Sequence, residues 1–80
     1  MKKKQVRNYA ERIRELRIRK RYTQLEVSHA IGISQRTYSD YETGHIRVPL
    51  MHMISLTKLH DVSMDYICGA SDIMMPFLRE

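Results

Sequence analysis

Two consecutive helix-start signals, separated by a glycine, constrain the fold of this chain more than any other feature. Thr23-Gln24-Leu25-Glu26 has the form of a capping box, in which the Thr23 hydroxyl and the Glu26 carboxylate each accept from the other residue's backbone amide. Gly32 follows and permits a left-handed turn. Ser34 then supplies the N-cap of another helix. The pattern therefore predicts two short helices joined by a tight turn.

The rest of the chain is also expected to be helical. Tyr9, Ile13 and Leu16 recur at helical spacing after a possible N-cap at Asn8. Pro49 is expected to open a fourth helix, and Ser63 to cap a short fifth helix that Gly69 closes. The fourth helix has an apolar stripe formed by Leu50, Met53, Ile54 and Leu56. No segment alternates convincingly with the period of two that strands show. We expect an all-α bundle of five helices.

The chain divides into three segments of different character. Residues 1–8 form a basic N-terminal arm containing Lys2, Lys3, Lys4 and Arg7, which either reaches DNA or has no fixed structure. Residues 9–70 form the helical domain, and residues 71–80 form an apolar C-terminal tail. Since 80 residues amount to one small domain with a modest core, an elaborate active site is not expected.

Charge is distributed unevenly along the sequence. Residues 1–47 carry twelve Lys and Arg against five Asp and Glu, a net charge of +7, whereas residues 48–80 carry two against four, a net charge of −2. A basic half of this kind suits a polyanion such as nucleic acid. The alternative is that charges such as those of Arg12 and Glu15 only solvate exposed helix faces.

Several other classes of function are not favoured. No apolar stretch approaches the ~20 residues of a membrane span, and no secretory signal is visible. Cys68 is the only cysteine, so it cannot form an internal disulfide; this fits a cytoplasmic protein, and we expect Cys68 to be buried. No nucleophile–base pair or glycine-rich phosphate loop is present, so neither an enzyme nor a cofactor is expected. The four histidines lack the spacing of zinc ligands and are interpreted as surface side chains: His29, His45, His52 and His60.

The two capped helices have the geometry that a DNA duplex can accept. Ser28 has a small side chain four residues before Gly32, which lets the two helices cross closely. Both helices would then point their N-terminal ends in roughly one direction, and unpaired amides at such ends favour phosphate. The second helix can lie in the major groove while the first crosses the backbone.

Residues 23–44 closely resemble the phage-repressor (Cro/C1-type, XRE) helix-turn-helix family. The resemblance rests on Thr23, Gln24, Glu26, Ser28 and the run Ile31-Gly32-Ile33-Ser34-Gln35, followed by Thr37-Tyr38-Ser39-Asp40-Tyr41-Glu42 and Gly44. It extends without detected gaps over about residues 9–70, through Ile13-Arg14-Glu15-Leu16-Arg17 and Val62-Ser63-Met64-Asp65-Tyr66-Ile67-Cys68-Gly69. The resemblance implies a lambda-repressor-like fold and sequence-specific binding of double-stranded DNA.

The resemblance also implies which side chains meet the bases. Gln35 is the expected first reader, since glutamine can pair bidentately with adenine, and Arg36 would read guanine or grip a phosphate. Thr37 would touch a thymine methyl group or a phosphate, and Ser39 and Asp40 lie further along the same side of the helix. An acidic side chain such as Asp40 is unusual at this position of the family. Either it accepts from cytosine, or it repels phosphate and bonds within the protein, and we favour the second interpretation.

Further residues receive phosphate-binding or structural roles. Gln24 is implied to contact phosphate, and the other candidates for phosphate contact are Thr23, Ser34, Arg14 and Arg47. Arg17 and Glu42 match an ion pair that ties the first helix to the third in similar domains. Tyr38 and Tyr41 match core positions of the family. Thr57 occupies a small apolar position, where its hydroxyl is expected to bond back to its own helix.

We therefore predict a cytoplasmic, nucleoid-associated transcriptional regulator, a repressor that binds a near-palindromic operator as a homodimer. The fifth helix and the apolar tail, residues 64–78, would form the dimer surface or pack back onto their own domain, and an exposed Met51 or Met53 would extend a partner surface. The alternative is an antitoxin or anti-repressor that holds a protein partner through residues 64–78. A restriction-modification controller is a variant of the first prediction.

Overall fold

A computed structural model describes residues 8–71, 73, 74 and 76, and these residues contain five helices. They are α1 (Tyr9–Arg19), α2 (Gln24–Ile31), α3 (Gln35–Thr43), α4 (Leu50–His60) and α5 (Met64–Ile67). No strand occurs among these residues, so the predicted all-α, five-helix architecture is confirmed. None of these helices is both long and apolar enough to span a bilayer. Lys2, Lys3, Lys4 and Arg7 lie outside the described residues.

Side-chain caps begin four of the five helices. Asn8, Thr23, Ser34 and Ser63 each accept a hydrogen bond from the backbone amide three residues later. Pro49 differs from the prediction, because it is the N-cap of α4 with extended backbone rather than the first helical residue. Its carbonyl accepts from the amide of Met53 at 2.9 Å. The short polar caps therefore fix where α1, α2, α3 and α5 start.

The core lies between the packed helices: α3 packs against α1 and α2, whereas α4 packs against α1, α2 and α5, and α5 also packs against α1. Ten hydrophobic residues are buried there: Ile13, Leu16, Val27, Tyr38, Tyr41, Met53, Leu56, Val62, Tyr66 and Ile67. Tyr38 and Tyr41 are thus core residues, as expected. The Thr57 hydroxyl donates to the carbonyl of Ile54 at 2.6 Å, which confirms that it bonds back to its own helix.

The apolar stripe predicted for α4 is wrong at its first residue. Leu50 is exposed, whereas Met53, Leu56, Thr57 and His60 are buried. Because these four residues follow helical spacing, they lie on one face of α4. That face, which includes His60, packs against the core. The prediction of a surface imidazole at His60 is therefore wrong.

Two further sequence predictions are wrong at the contact between α1 and α5. Arg12 is expected at the surface, either near phosphate or on a solvated face, yet it is buried and its guanidinium lies 4.0 Å from the ring centroid of Tyr66. This cation–π contact lets a charged residue occupy the helix face that carries Ile13 and Leu16. Cys68 was expected to be buried but is exposed, because α5 ends at Ile67 and Cys68 forms its C-cap.

Candidate nucleic-acid interface

The first residues of α2 form a complete capping box. The Thr23 hydroxyl accepts from the Glu26 amide at 3.0 Å, and the Glu26 carboxylate accepts from the Thr23 amide at 2.8 Å. The box uses two of the amides that a helix start leaves open, and Gln24 and Leu25 retain backbone N–H groups with no acceptor within the helix. Those two amides, together with the helix dipole, favour an anion at this end of α2.

The turn between α2 and α3 is held by backbone and side-chain contacts. Gly32 has a φ of 77° in the left-handed region, and the next amide, of Ile33, donates to the carbonyl of Ser28 at 2.9 Å. The Ser28 side chain is fully buried, and its hydroxyl donates to the carbonyl of Leu25. A small side chain at this position lets α2 and α3 pack closely, and the glycine keeps the connection short.

The start of α3 presents the two side chains expected to discriminate between bases. Ser34 accepts from the Thr37 amide at 3.0 Å and donates its hydroxyl to the Thr37 hydroxyl at 2.9 Å. Gln35 and Arg36 are exposed, and their backbone amides have no acceptor within the helix. Thr37 is half-buried, and its hydroxyl already contacts the cap. Gln35 and Arg36 are consequently the most accessible members of the predicted set.

The second turn of α3 is less exposed than the first. Ser39 and Asp40 are half-buried, and the Asp40 carboxylate lies 3.8 Å from Nε of Arg36, one helical turn away. This pair fits the interpretation that Asp40 bonds within the protein. The sequence contains the signal for it, because an arginine and an aspartate four residues apart on a helix are neighbours.

Glu42 joins three helices through its buried carboxylate. Arg17 of α1 donates from Nε at 2.7 Å and from an Nη at 3.2 Å, and Gln24 of α2 donates from its side-chain amide at 3.1 Å. Burial raises the pKa of Glu42, but the hydrogen bonds from Arg17 and Gln24 outweigh it, and the pKa lies below its ordinary value. The Arg17–Glu42 ion pair expected from the sequence is present, whereas the Gln24 contact was not predicted.

This contact limits what the Gln24 side chain can offer to a phosphate. Because an ionised carboxylate only accepts, the Gln24 amide nitrogen must face Glu42, and only its second hydrogen remains available. The other candidates for phosphate contact lie on different elements. Arg14 is exposed on α1, and Arg47 is exposed in the loop that follows α3.

The histidines do not form a metal site within residues 8–71, 73, 74 and 76, where no group of three His, Cys, Asp or Glu side chains converges. His29 and His45 are exposed, but His52 is half-buried and lies 2.7 Å from the Tyr41 hydroxyl. His52 therefore connects the start of α4 to the core face of α3, a role that its spacing in the sequence did not indicate.

Known proteins resemble this chain in sequence and in fold. The sequence model of the family described as Helix-turn-helix matches residues 13–67. Two proteins of Bacillus subtilis (strain 168) are similar in sequence. The "Uncharacterized HTH-type transcriptional regulator YobD" is 38% identical over 64 residues. The "Uncharacterized HTH-type transcriptional regulator YqaE" is 29% identical over 59 residues. These alignments cover 80% and 74% of this chain but 57% and 51% of the relatives. The chain thus spans about half the length of the curated relatives it matches.

Solved structures share the fold at lower sequence identity. The P22 c2 repressor in complex with synthetic operator 9T superposes with a TM-score of 0.75 at 23% identity, over 81% of this chain and 98% of that one. The restriction-modification controller protein C.AhdI from Aeromonas hydrophila gives a TM-score of 0.69 at 24% identity, over 74% and 89% of the two chains. The chain has five helices, with a capped helix start on each side of a glycine turn, and the family model matches residues 13–67. The chain therefore belongs to the Cro/C1-type (XRE) helix-turn-helix family of DNA-binding transcription regulators.

Proposed function

We propose that this chain binds an operator in double-stranded DNA sequence-specifically and acts as a repressor. The observation that carries the proposal is the succession of two capped helix starts across the Gly32 turn, with Gln35 and Arg36 exposed at the second of them. The N-terminal end of α2 would bind the backbone, and α3 would enter the major groove. Structural relatives support this assignment, since one of them is a repressor bound to a synthetic operator.

Affinity and discrimination would come from different side chains. Phosphate contacts would supply most of the affinity, through the amides that open α2, together with Arg14 and Arg47. Gln35 and Arg36 would supply most of the discrimination, because their side chains can pair bidentately with adenine and guanine. Thr37, Ser39 and Asp40 would act close to the same bases, with less exposed surface.

Selection of bound fragments from random DNA tests the proposal. The expected result is one enriched motif with near two-fold symmetry, bound more tightly than random duplex of equal length. Replacing Gln35 and Arg36 together by Ala should abolish the preference for that motif. Lys58→Ala, which removes an exposed cation of α4, should retain the preference. Enrichment of no motif by the wild-type chain would refute the proposal.

We also propose that the DNA-bound form is a homodimer, with its two α3 helices about one helical turn apart, at ~34 Å. Exposed apolar side chains in the second half of the chain support this. Leu50 and Met51 are 70% and 71% exposed, and Ile73 and Met74 are also exposed. Large apolar side chains at the surface are typical of contact with another chain. Of the dimer surface predicted over residues 64–78, Tyr66 and Ile67 of α5 are buried in the core of their own domain, and residues 72, 75, 77 and 78 lie outside the described residues.

An antitoxin or anti-repressor remains the second candidate, because the same apolar side chains suit a different protein. Sedimentation of the isolated chain, with and without the selected DNA, separates the two. A dimer that weakens with Met51→Glu but not with Ile18→Glu, an exposed apolar residue of α1, supports the homodimer. A chain that stays monomeric on its selected DNA would contradict it.

A further inference from the structure

The recognition helix α3 exposes one charge of each sign. Its charged residues are Arg36, Asp40 and Glu42. Glu42 is buried and paired with Arg17 of α1, so Arg36 and Asp40 are the charges that remain on the outer surface of α3. Because they have opposite signs and lie one turn apart, this surface has no net charge. The charged side chains of α3 therefore supply no net attraction of the protein to DNA.

The two side chains of this pair differ in how firmly they are held. The Arg36 side chain is 87% exposed, whereas the Asp40 side chain is 30% exposed. The backbone of Asp40 is anchored by the turn that ends α3, because its carbonyl accepts from the amides of Gly44 and His45. Asp40 is also the shorter side chain, with fewer rotatable bonds. The fixed carboxylate therefore orients the mobile guanidinium, rather than the reverse.

The contact also shows which edge of the guanidinium faces the carboxylate. The Arg36 atom nearest to Asp40 is Nε, at 3.8 Å from the carboxylate. The terminal nitrogens of the guanidinium remain available, and they form the fork that matches the O6 and N7 acceptors of guanine. An exposed pair of this length adds little to stability. Its main consequence therefore concerns the direction in which Arg36 points.

We propose that Asp40 is a positioning residue that directs Arg36 toward a guanine and away from phosphate, and so increases the preference of the protein for its operator over other DNA. This inference rests on the proposed DNA-binding function. When Arg36 turns to a phosphate, the Asp40 carboxylate is left unpaired close to the negative backbone, which penalises that arrangement on every sequence. When Arg36 reads a guanine, the pair with Asp40 is retained.

The test compares wild-type protein with Asp40→Asn, which keeps the size of the side chain and removes its charge. Binding is measured to the selected operator, to operators with single base-pair changes, and to random duplex of equal length. Discrimination at one G·C pair is expected to fall about tenfold, which lies within the range for one bidentate contact. Affinity for random duplex is expected to rise, and the slope of log K against log salt to steepen by about 0.9 for one added phosphate contact.

Four further variants separate positioning from other roles. Asp40→Glu should restore discrimination, because it restores the carboxylate. Arg36→Ala should lose discrimination at the same G·C pair, and adding Asp40→Asn to Arg36→Ala should produce no further loss there, since the two residues act through one contact. Asp40→Ala repeats the test should Asn disturb the helix, and circular dichroism melts verify that each variant is folded.

Two outcomes would overturn the inference. The first is an unchanged base-pair profile in folded Asp40→Asn. The second is a loss of discrimination at another base pair that persists in the Arg36→Ala background, because Asp40 would then read a base itself. Either result leaves operator binding by the wild-type chain intact. Failure of the wild-type chain to select any DNA would instead refute the proposed function, and this inference with it.

Discussion

The guanidinium of Arg17 donates from Nε to the Glu42 carboxylate over 2.7 Å, and this contact ties α1 to the end of α3. The two side chains are 15% and 3% exposed, respectively. Arg17 also donates to the carbonyl of Tyr22 in the connection between α1 and α2. One ion pair therefore fixes the position of α3 relative to the segment that leads into α2.

Replacing Arg17 by Ala should destabilise the fold strongly. The substitution leaves the buried Glu42 carboxylate without its cationic partner, and loss of one member of such a pair costs ~3–5 kcal/mol. Small domains have a total stability of about 5–15 kcal/mol, so much of it would be lost. Urea unfolding at neutral pH, followed by circular dichroism, measures the change. Arg19→Ala removes an exposed arginine from the same helix and should change stability by less than about 0.5 kcal/mol. Equal losses in the two variants would contradict the assigned role.

Acidification should destabilise the protein through His60. This side chain is buried at the end of α4, next to Tyr22 at a ring-centroid distance of 6.2 Å. Burial and the nearby Lys20 lower the pKa of His60 to about 4, although the charge of Glu42 acts in the opposite direction. Since the unfolded chain binds this proton near pH 6.5, stability should fall between about pH 6.5 and 4, by ~3 kcal/mol in total.

The measurement is the free energy of unfolding as a function of pH for wild type, His60→Leu and His29→Leu. His60→Leu should flatten the curve above about pH 4, because the residue that gains a proton on unfolding is gone. His29 is exposed, so His29→Leu should follow the wild-type curve. Protonation of Glu42, whose pKa is lowered, removes its stabilising contribution only as the pH falls through that lowered value. A wild-type curve that is flat from pH 6.5 to 4 would exclude a buried neutral His60.

Local signals in the sequence were sufficient to place the starts of α2 and α3 and the turn between them. Thr23, Gly32 and Ser34 act on backbone atoms within three or four residues of themselves, so their consequences can be predicted without the tertiary structure. The resemblance to phage repressors added the pairing of Arg17 with Glu42, which lie 25 residues apart. These features account for the correct fold and for the exposed position of Gln35 at the start of α3.

The wrong predictions concern side chains whose environment depends on distant segments. Arg12 is buried because α5 brings Tyr66 over its guanidinium, and nothing near Arg12 in sequence indicates this. The burial of His60 had a local signal, since Met53, Leu56 and His60 share one helical face, but the polar character of histidine favoured a surface position. Cys68 is exposed because α5 ends one residue earlier than predicted. Helix boundaries and helix rotation are thus where sequence patterns were least informative.

Gly32→Ala should reduce stability without any steric clash. A methyl group built at Gly32 meets no atom within 4 Å, but the φ of 77° lies in the left-handed region. A residue with a Cβ atom pays ~1–2 kcal/mol for that conformation. Gly32→Asn should cost less, because asparagine tolerates the left-handed region better than alanine does. Thermal melts of the three proteins provide the test, and Asn at least as destabilising as Ala would contradict the conformational explanation.

Gln35→Ala and Arg47→Ala should weaken DNA binding in different ways, because only Gln35 lies at the exposed start of α3. Loss of Gln35 should remove ~1–3 kcal/mol of preference at one base pair and leave the others unchanged, as expected for a side chain that reads a base edge. Loss of Arg47 should weaken binding to all sequences alike and reduce the salt slope by about 1, as expected for one phosphate contact. Competition among operators with single base-pair changes, repeated over a range of salt concentrations, measures both effects.

If Gln35→Ala leaves the base-pair profile intact, then Gln35 is not a base reader. If Arg47→Ala weakens binding to some DNA sequences more than to others, then Arg47 contacts a base edge and not the DNA backbone.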